Sequence, residues 1–423
     1  MKTKTRSQLI GMMFLEYAVW GAWMPILSAT LINRHFRPEA VGNVYSALWL
    51  GCIITPFLGG QLADRFVPSQ TLLGVTHLLA AGAAYVMAQQ QTPGGVFTWM
   101  LIWALLFAPT LGITNSIALD HIERSSSDQA ERERSFAWVR TAGTIGWIAS
   151  AFILTFYLKS LNGDPSGVRG AIPELVLTAV LGLVMGIYSF TLPNTPPNKD
   201  RRVDPLAFRK ALSLFRTVPG FAVFMFISFF AATEFQFFYN LSGPFLEWLK
   251  VPHELVPVTK SISQVAEIVA LGFLLPLWLP SKGMRWCLLV GSFAWPLRYF
   301  IFAMEQPKWL VVAALALHGF GYAFVIVAQQ LYVDRVSPRD IRSSAQNLLN
   351  LVTLGVGNYL GSIFSGKVQE HFTDAAGHTQ WVPVFVLPAV TTLLCAVAYA
   401  LTFRDPAPRE SVPESGEGLP STA

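Results

Sequence analysis

Apolar runs of membrane-crossing length recur along almost the whole of this chain. A helix needs about 20 mostly apolar residues to cross roughly 30 Å of hydrocarbon. Twelve such runs lie near 8–30, 41–63, 71–90, 97–118, 136–158, 172–192, 219–245, 260–280, 285–304, 309–332, 344–366 and 382–403. The chain has 423 residues, 53% hydrophobic and only 13% charged, whereas soluble domains carry about 25% charge. Its mean hydropathy of +0.46 is spread over the full length. A soluble enzyme, a disordered chain and a nucleic-acid binder are therefore excluded. Thirteen Trp and 31 Phe suit spans with interfacial belts. Cys52, Cys287 and Cys395 each stand alone in an apolar run and read as small buried hydrophobes, with no metal spacing and no cofactor motif.

The basic residues orient the spans. With both termini in the cytoplasm, 20 of the 30 Lys and Arg fall on the cytoplasmic side, eight on the other, and Arg140 and Arg298 within spans. The first apolar run is too long for a signal peptide and is interrupted by Glu16, so it reads as a retained span. The longest polar connection, 193–218, divides six spans from six. The expected organisation is an N-terminal half (1–192), a cytoplasmic linker (193–218), a C-terminal half (219–403) and a disordered cytoplasmic tail (404–423). The amphipathic stretch 206–215 is expected to lie on the membrane face.

A charge inside the bilayer costs at least ~2.5–3.5 kcal/mol, so each one is a functional candidate. Five stand inside spans: Glu16, Arg140, Glu234, Glu267 and Arg298. Arg140, Thr144 and Trp147 recur at i, i+4, i+7 and share a helix face. Gln264 and Glu267 recur at i, i+3. Gln236 and Asn240 lie among Phe235, Phe237, Phe238 and Tyr239. Amides and a carboxylate hydrogen-bond a polyhydroxyl or a base edge, and aromatic rings stack on a flat ring. The set reads as a site for a polar, partly aromatic solute.

Ordinary roles stand beside these. Arg140 is near a span end and can snorkel. Glu234 can tie one helix to another, and Arg298 can pair within the C-terminal half. Glu16 is a proton carrier, a ligand or a partner for Arg140. His77 and His318 fit interhelical hydrogen bonds, and the Asn240-Leu241-Ser242 sequon lies in a span.

Gly59-Gly60-Gln61-Leu62-Ala63-Asp64-Arg65 resembles the loop signature of the major facilitator superfamily, with Asp64 and Arg65 as a conformational latch. The strings Trp20-Gly21-Ala22-Trp23, Pro109-Thr110-Leu111-Gly112, Gly143-Thr144-Ile145-Gly146, Ile262-Ser263-Gln264, Arg342-Ser343-Ser344-Ala345-Gln346 and Ser365-Gly366-Lys367-Val368 resemble the bacterial nucleoside:proton symporters of that superfamily. The resemblance implies an all-α polytopic membrane protein with 12 transmembrane helices in two six-helix halves. It implies a monomer in the bacterial inner membrane that imports a nucleoside with a proton by alternating access, without a cofactor. The other reading is a transporter of a sugar, nucleobase or related metabolite.

As site residues the resemblance implies Arg140, Thr144, Trp147, Gln236, Tyr239 with Asn240 beside it, Gln264, Glu267 and Phe324. Glu267 and Glu16, as carboxylates inside spans, are the candidate proton-coupling residues. The family's Asp on span ten falls at Val325, and Glu16 stands where a neutral polar residue is expected.

Overall fold

The structure is a computed structural model that describes residues 3–65, 67–161, 170–196, 207–338 and 341–403. The tail and the Asp64 and Arg65 side chains fall outside the described part. The first half holds α1 (Thr3–Gly21), α2 (Leu27–Asn33), α3 (Pro38–Arg65), α4 (Ser69–Ala88), α5 (Pro93–Glu123), α6 (Gln129–Ser160) and α7 (Pro173–Ser189). Two short helices follow, α8 (Ala207–Leu212) and α9 (Leu214–Thr217). The second half holds α10 (Phe221–Trp248), α11 (Val256–Val269), α12 (Leu275–Met304), α13 (Lys308–Ala314), α14 (Ala316–Gly321), α15 (Ala328–Val336), α16 (Arg342–Asn350), α17 (Asn358–His371) and α18 (Trp381–Thr402).

Each expected span falls on a helix or on consecutive helices. Among the described residues, eight stretches are long and apolar enough to cross a membrane. One of these, 253–304, is long enough for two crossings, with a break at Gly283 (φ 85°, ψ 170°) that only glycine adopts easily. Side chains such as Phe156, Phe273 and Leu401, each at least 69% exposed, are in place facing lipid and out of place facing water.

The first span is not continuous. Residues 22–26 form a turn between α1 and α2, where Pro25 supplies no backbone donor. Tyr45 of α3 repairs the break: its hydroxyl donates to Met24 O (2.9 Å) and accepts from Ser28 N (3.1 Å). In the linker, Leu212 and Phe215 are exposed on one side. Ala211 and Leu214 are buried against Phe221, Ile341 and Ala345, so the apolar face of α8 and α9 covers the second half.

Three π-helical stretches interrupt the second half, at Ala270–Leu274, Tyr322–Val327 and Leu351–Gly357. Each adds a residue to a turn and rotates the side chains that follow.

The two halves meet closely at the end where α2 stops and α3 begins. Arg37 Nε and Nη2 both donate to Glu370 Oε1, at 2.8 and 2.6 Å. The Glu370 hydrogen bond and charge raise the Arg37 pKa. Asn33 Nδ2 donates to Glu247 Oε2 at 3.0 Å. Below them Gly42 and Gly366 are in backbone contact: a Cβ on Gly42 meets Ser362 O at 2.5 Å and Gly366 Cα at 2.9 Å. Within the first half, a Cβ on Gly146 meets Phe14 O at 2.0 Å, so α1 and α6 touch along their backbones.

Two outcomes follow from these contacts. Gly146→Val forces α6 away from α1 and lowers the melting temperature of the purified protein, by the ~1–3 kcal/mol of an overpacked interface or more; an unchanged melting curve contradicts this packing. Gly42→Leu wedges the closed end apart while each half stays intact. Spin labels replacing Asn33 and Glu247 then move apart, and a distance distribution equal to that of the unwedged protein contradicts the closure.

Candidate functional site

Arg140, Thr144 and Trp147 line one face of α6, as their spacing requires. The Arg140 guanidinium carbon lies 4.2 Å from the centre of the Tyr17 ring on α1, a cation–π contact. The Tyr322 hydroxyl and the Glu267 carboxylate stand near enough to act on this guanidinium electrostatically. Arg140 belongs to the first half and Glu267 to the second, so this charge pair spans the interface.

Aromatic rings surround the pair from both halves. Trp147 stands edge-on to Tyr239, with ring centres 6.4 Å apart. Trp20 is 5.5 Å from Trp147 and 6.2 Å from Trp49. Tyr239 is 5.1 Å from Phe235, which in turn is 6.2 Å from Tyr322. Rings set edge-on to one another leave faces on which a flat guest can stack.

The polar groups in this box are oriented and partly unused. Trp49 Nε1 and Ser362 Oγ both donate to Gln236 Oε1, each at 3.1 Å. That fixes the amide, and Gln236 Nε2 is left buried without an acceptor, as is Trp20 Nε1. Unpaired buried donors are costly, and a ligand with acceptor atoms relieves that cost. Gln264 Oε1 accepts from Ser263 Oγ at 3.0 Å, and Gln264 and Glu267 are both buried on α11. Thr144 is half-buried on the Arg140 face.

Two of the expected site residues point elsewhere. Asn240 Nδ2 donates to Ser362 O (3.3 Å) and Ser365 Oγ (2.8 Å), tying α10 to α17. Phe324 is fully buried inside the second half and stacks on Trp278 at 5.3 Å. The ring that reaches Arg140 from this segment is Tyr322. A π-helical stretch begins at Tyr322, and the resemblance that named Phe324 gives no sign of it.

Buried charges are paired elsewhere too. Arg298 Nη1 lies 2.9 Å from His318 Nδ1, its guanidinium sits over Phe238 and Tyr299, and Glu234 is the carboxylate facing it. Lys260, counted from sequence with the loop lysines, is 2% exposed, and its Nζ donates to Tyr239 O at 3.4 Å. Its position in the second turn of an apolar helix start hid it. Glu16 does not meet Arg140: its Oε2 is 2.9 Å from His77 Nε2 and its Oε1 is 2.6 Å from Thr110 Oγ1. Glu247, Asn33, Arg37 and Glu370 at the closed end were not singled out, because only tertiary pairing distinguishes them from surface charges.

Outside this cluster, grooves of about 380 and 460 Å³ lie on the apolar outer surface, lined by residues such as Phe152 and Val265, and Trp286 and Phe293. Among the described residues, no three His, Cys, Asp or Glu converge on a point suited to a metal ion.

The chain matches the family model described as "Nucleoside H+ symporter" over residues 1–408. It is 31% identical over 414 residues to the putative nucleoside transporter YegT of Escherichia coli, covering 95% of this chain and 94% of that one. It is 27% identical over 410 residues to the xanthosine permease of the same organism, covering 93% and 94%. The crystal structure of a mutant of the nucleoside transporter NupG superposes with a TM-score of 0.83 at 26% identity, covering 95% of this chain and all of that one.

Proposed function

Because the chain belongs to the nucleoside H+ symporter family, we propose that the box around Arg140 and Glu267 is where a nucleoside and a proton are coupled. The protein is a secondary active transporter of the major facilitator fold, not an enzyme, and it imports nucleosides with protons by alternating access. The observation that carries the site assignment is the ring cluster drawn from both halves beside Arg140, with Trp20 and Trp147 from the first half and Tyr239 from the second, and Glu267 buried on α11 within its electrostatic reach.

A nucleoside presents a flat base, a hydroxylated sugar and several acceptor atoms. Trp147, Tyr239 and Trp20 take the base, where stacking contributes ~1–3 kcal/mol per base in comparable sites. Glu267 accepts from the sugar hydroxyls, while Gln236 Nε2 and Trp20 Nε1 supply the unused donors. Arg140, Thr144 and Gln264 complete the polar rim. Asn240 positions α10 against α17, and Tyr322 takes the role first assigned to Phe324.

A ligand between the halves gives each half a reason to close on it. Both termini lie in the cytoplasm of a bacterium in this reading, with the inner membrane around a monomer whose two halves, 1–192 and 219–403, complete one site. The end sealed by Arg37–Glu370, Asn33–Glu247 and Gly42–Gly366 then faces outward, so the described form opens toward the cytoplasm. Opening outward requires those contacts to separate, and Asp64 and Arg65 act as the latch on the cytoplasmic side. One charge moving across 100 mV supplies about 2.3 kcal/mol to this cycle.

The test has two parts. Radiolabelled nucleoside accumulates in cells expressing the protein, and a proton uncoupler abolishes the accumulation; uptake indifferent to the uncoupler contradicts the coupling. In titrations of purified protein, Glu267→Gln weakens nucleoside binding about ten- to a hundredfold, as expected for losing a hydrogen bond to a charged group. Phe324→Leu stays within about twofold, the small effect expected of a volume-conserving swap away from the ligand. The reverse order contradicts the site.

A further inference from the structure

Glu16 and His77 are both fully buried, and each half holds a comparable arrangement. The first helix of each half carries a buried carboxylate, Glu16 on α1 and Glu234 on α10. The third span of each half carries a buried base, His77 on α4 and Arg298 in the second part of α12. The bases differ in kind. A guanidinium stays charged at any physiological pH, whereas an imidazole gains and loses a proton.

The contacts around Glu16 contain room for a proton. Thr110 Oγ1 lies 2.6 Å from Glu16 Oε1 and also 2.6 Å from Phe107 O. One hydroxyl carries one proton, and both neighbouring oxygens are acceptors when Glu16 is ionised. The two short contacts are satisfied together when Glu16 itself carries a proton: its O–H donates to Thr110, and Thr110 donates to Phe107 O. His77 Nε2–H then donates to Glu16 Oε2. The remaining ring nitrogen, His77 Nδ1, is buried and without a partner, which leaves an open position for a proton to arrive or leave.

We propose that Glu16, with His77 and Thr110, is the proton-holding site of this transporter, one side-chain layer behind the nucleoside box. The proposal rests on the reading of the chain as a proton-coupled nucleoside importer. Loaded, the site is a neutral carboxylic acid beside a neutral imidazole; release by way of the ring needs the carboxyl proton on Oε2 and His77 as its Nδ1–H tautomer, so that Nε2 takes that proton as Nδ1 gives one up, leaving a carboxylate and a neutral imidazole with one buried negative charge. Tyr17, next to Glu16, connects it to the box, since it stands in the fields of Arg140, Glu16 and Glu267 together. From the neighbouring elements the site is faced by Thr110 on α5, His77 on α4 and, through Tyr17, Arg140 on α6; on α7, Tyr188 reaches α1 at Gln8 O, two turns away. When Arg140 engages Glu267 across the interface, its positive charge is shared, and the emptied, negative state of Glu16 loses support. A nucleoside in the box that takes hydrogen bonds from Arg140 shares that charge in the same way, so the nucleoside-bound form holds its proton, as co-transport requires.

Glu16→Gln separates this role from a structural one. A glutamine amide donates to Thr110 and accepts from His77, so the contacts of the loaded site persist while the proton is fixed in place. In proteoliposomes, a one-unit pH gradient moving one proton per nucleoside supports about tenfold accumulation. Glu16→Gln is expected to abolish that accumulation and to keep nucleoside counterflow, which needs only binding and alternation, within about twofold of wild type. His77→Gln is measured alongside, in case Glu16→Gln fails to insert, and is expected to shift the pH dependence of driven uptake while sparing counterflow. Gradient-driven accumulation by Glu16→Gln, or His77→Gln with wild-type pH dependence, overturns the proposal. If the wild-type protein itself ignores the gradient, the underlying reading fails instead.

Discussion

Arg140 on α6 of the first half and Glu267 on α11 of the second bring opposite charges to one place where the halves meet. A charge in a low-dielectric interior requires a partner, because leaving it alone is far costlier than in water. Neither half supplies both partners for this pair. The halves are therefore drawn together where the ligand binds, and whatever competes for either charge alters how they sit. Within one half, Glu16 meets His77 and Arg298 meets His318, while Lys260 reaches the Tyr239 carbonyl and both side-chain oxygens of Glu174 are buried without a hydrogen-bond partner. The cross-half pair is the one that a guest can divide.

Packing elsewhere follows from the same need to bring backbones close without unpaired polar groups. Glycines let α1 meet α6 and α3 meet α17 in direct contact. The turn between α1 and α2 is tolerated because Tyr45 takes up its loose backbone groups. The closed end is held by ion pairs and amide bonds near the surface, which are individually weak. Weak seals at one end and a divisible pair in the middle suit a molecule that must open on either side.

Much of the architecture was legible in the sequence because the bilayer imposes length and composition directly. Arg140 and Glu267 were legible for the same reason, as rare charges in apolar runs with polar companions at helical spacing. Phe324 was named by resemblance; it stacks on Trp278 inside the second half, and Tyr322, where a π-helical stretch begins, is the residue of that segment that acts on Arg140. Lys260 was read as a loop residue because its burial comes from Tyr239 and Phe238 on another helix. Glu16 and His77 were each visible as polar residues in spans, but 61 positions separate them, and only the fold shows that they touch. Asn240 carried the right chemistry for a ligand and turned out to bond α17, a choice that depends on side-chain direction.

The central claim is that Arg140 and Glu267 act as one cross-half site for the nucleoside. A double-mutant cycle on nucleoside affinity, using Arg140→Gln, Glu267→Gln and the double variant, tests it most directly. The account predicts strong non-additivity, with the double variant losing little more than the worse single one and a coupling of at least ~1 kcal/mol. Losses that simply add would mean that the two residues act independently and would contradict it.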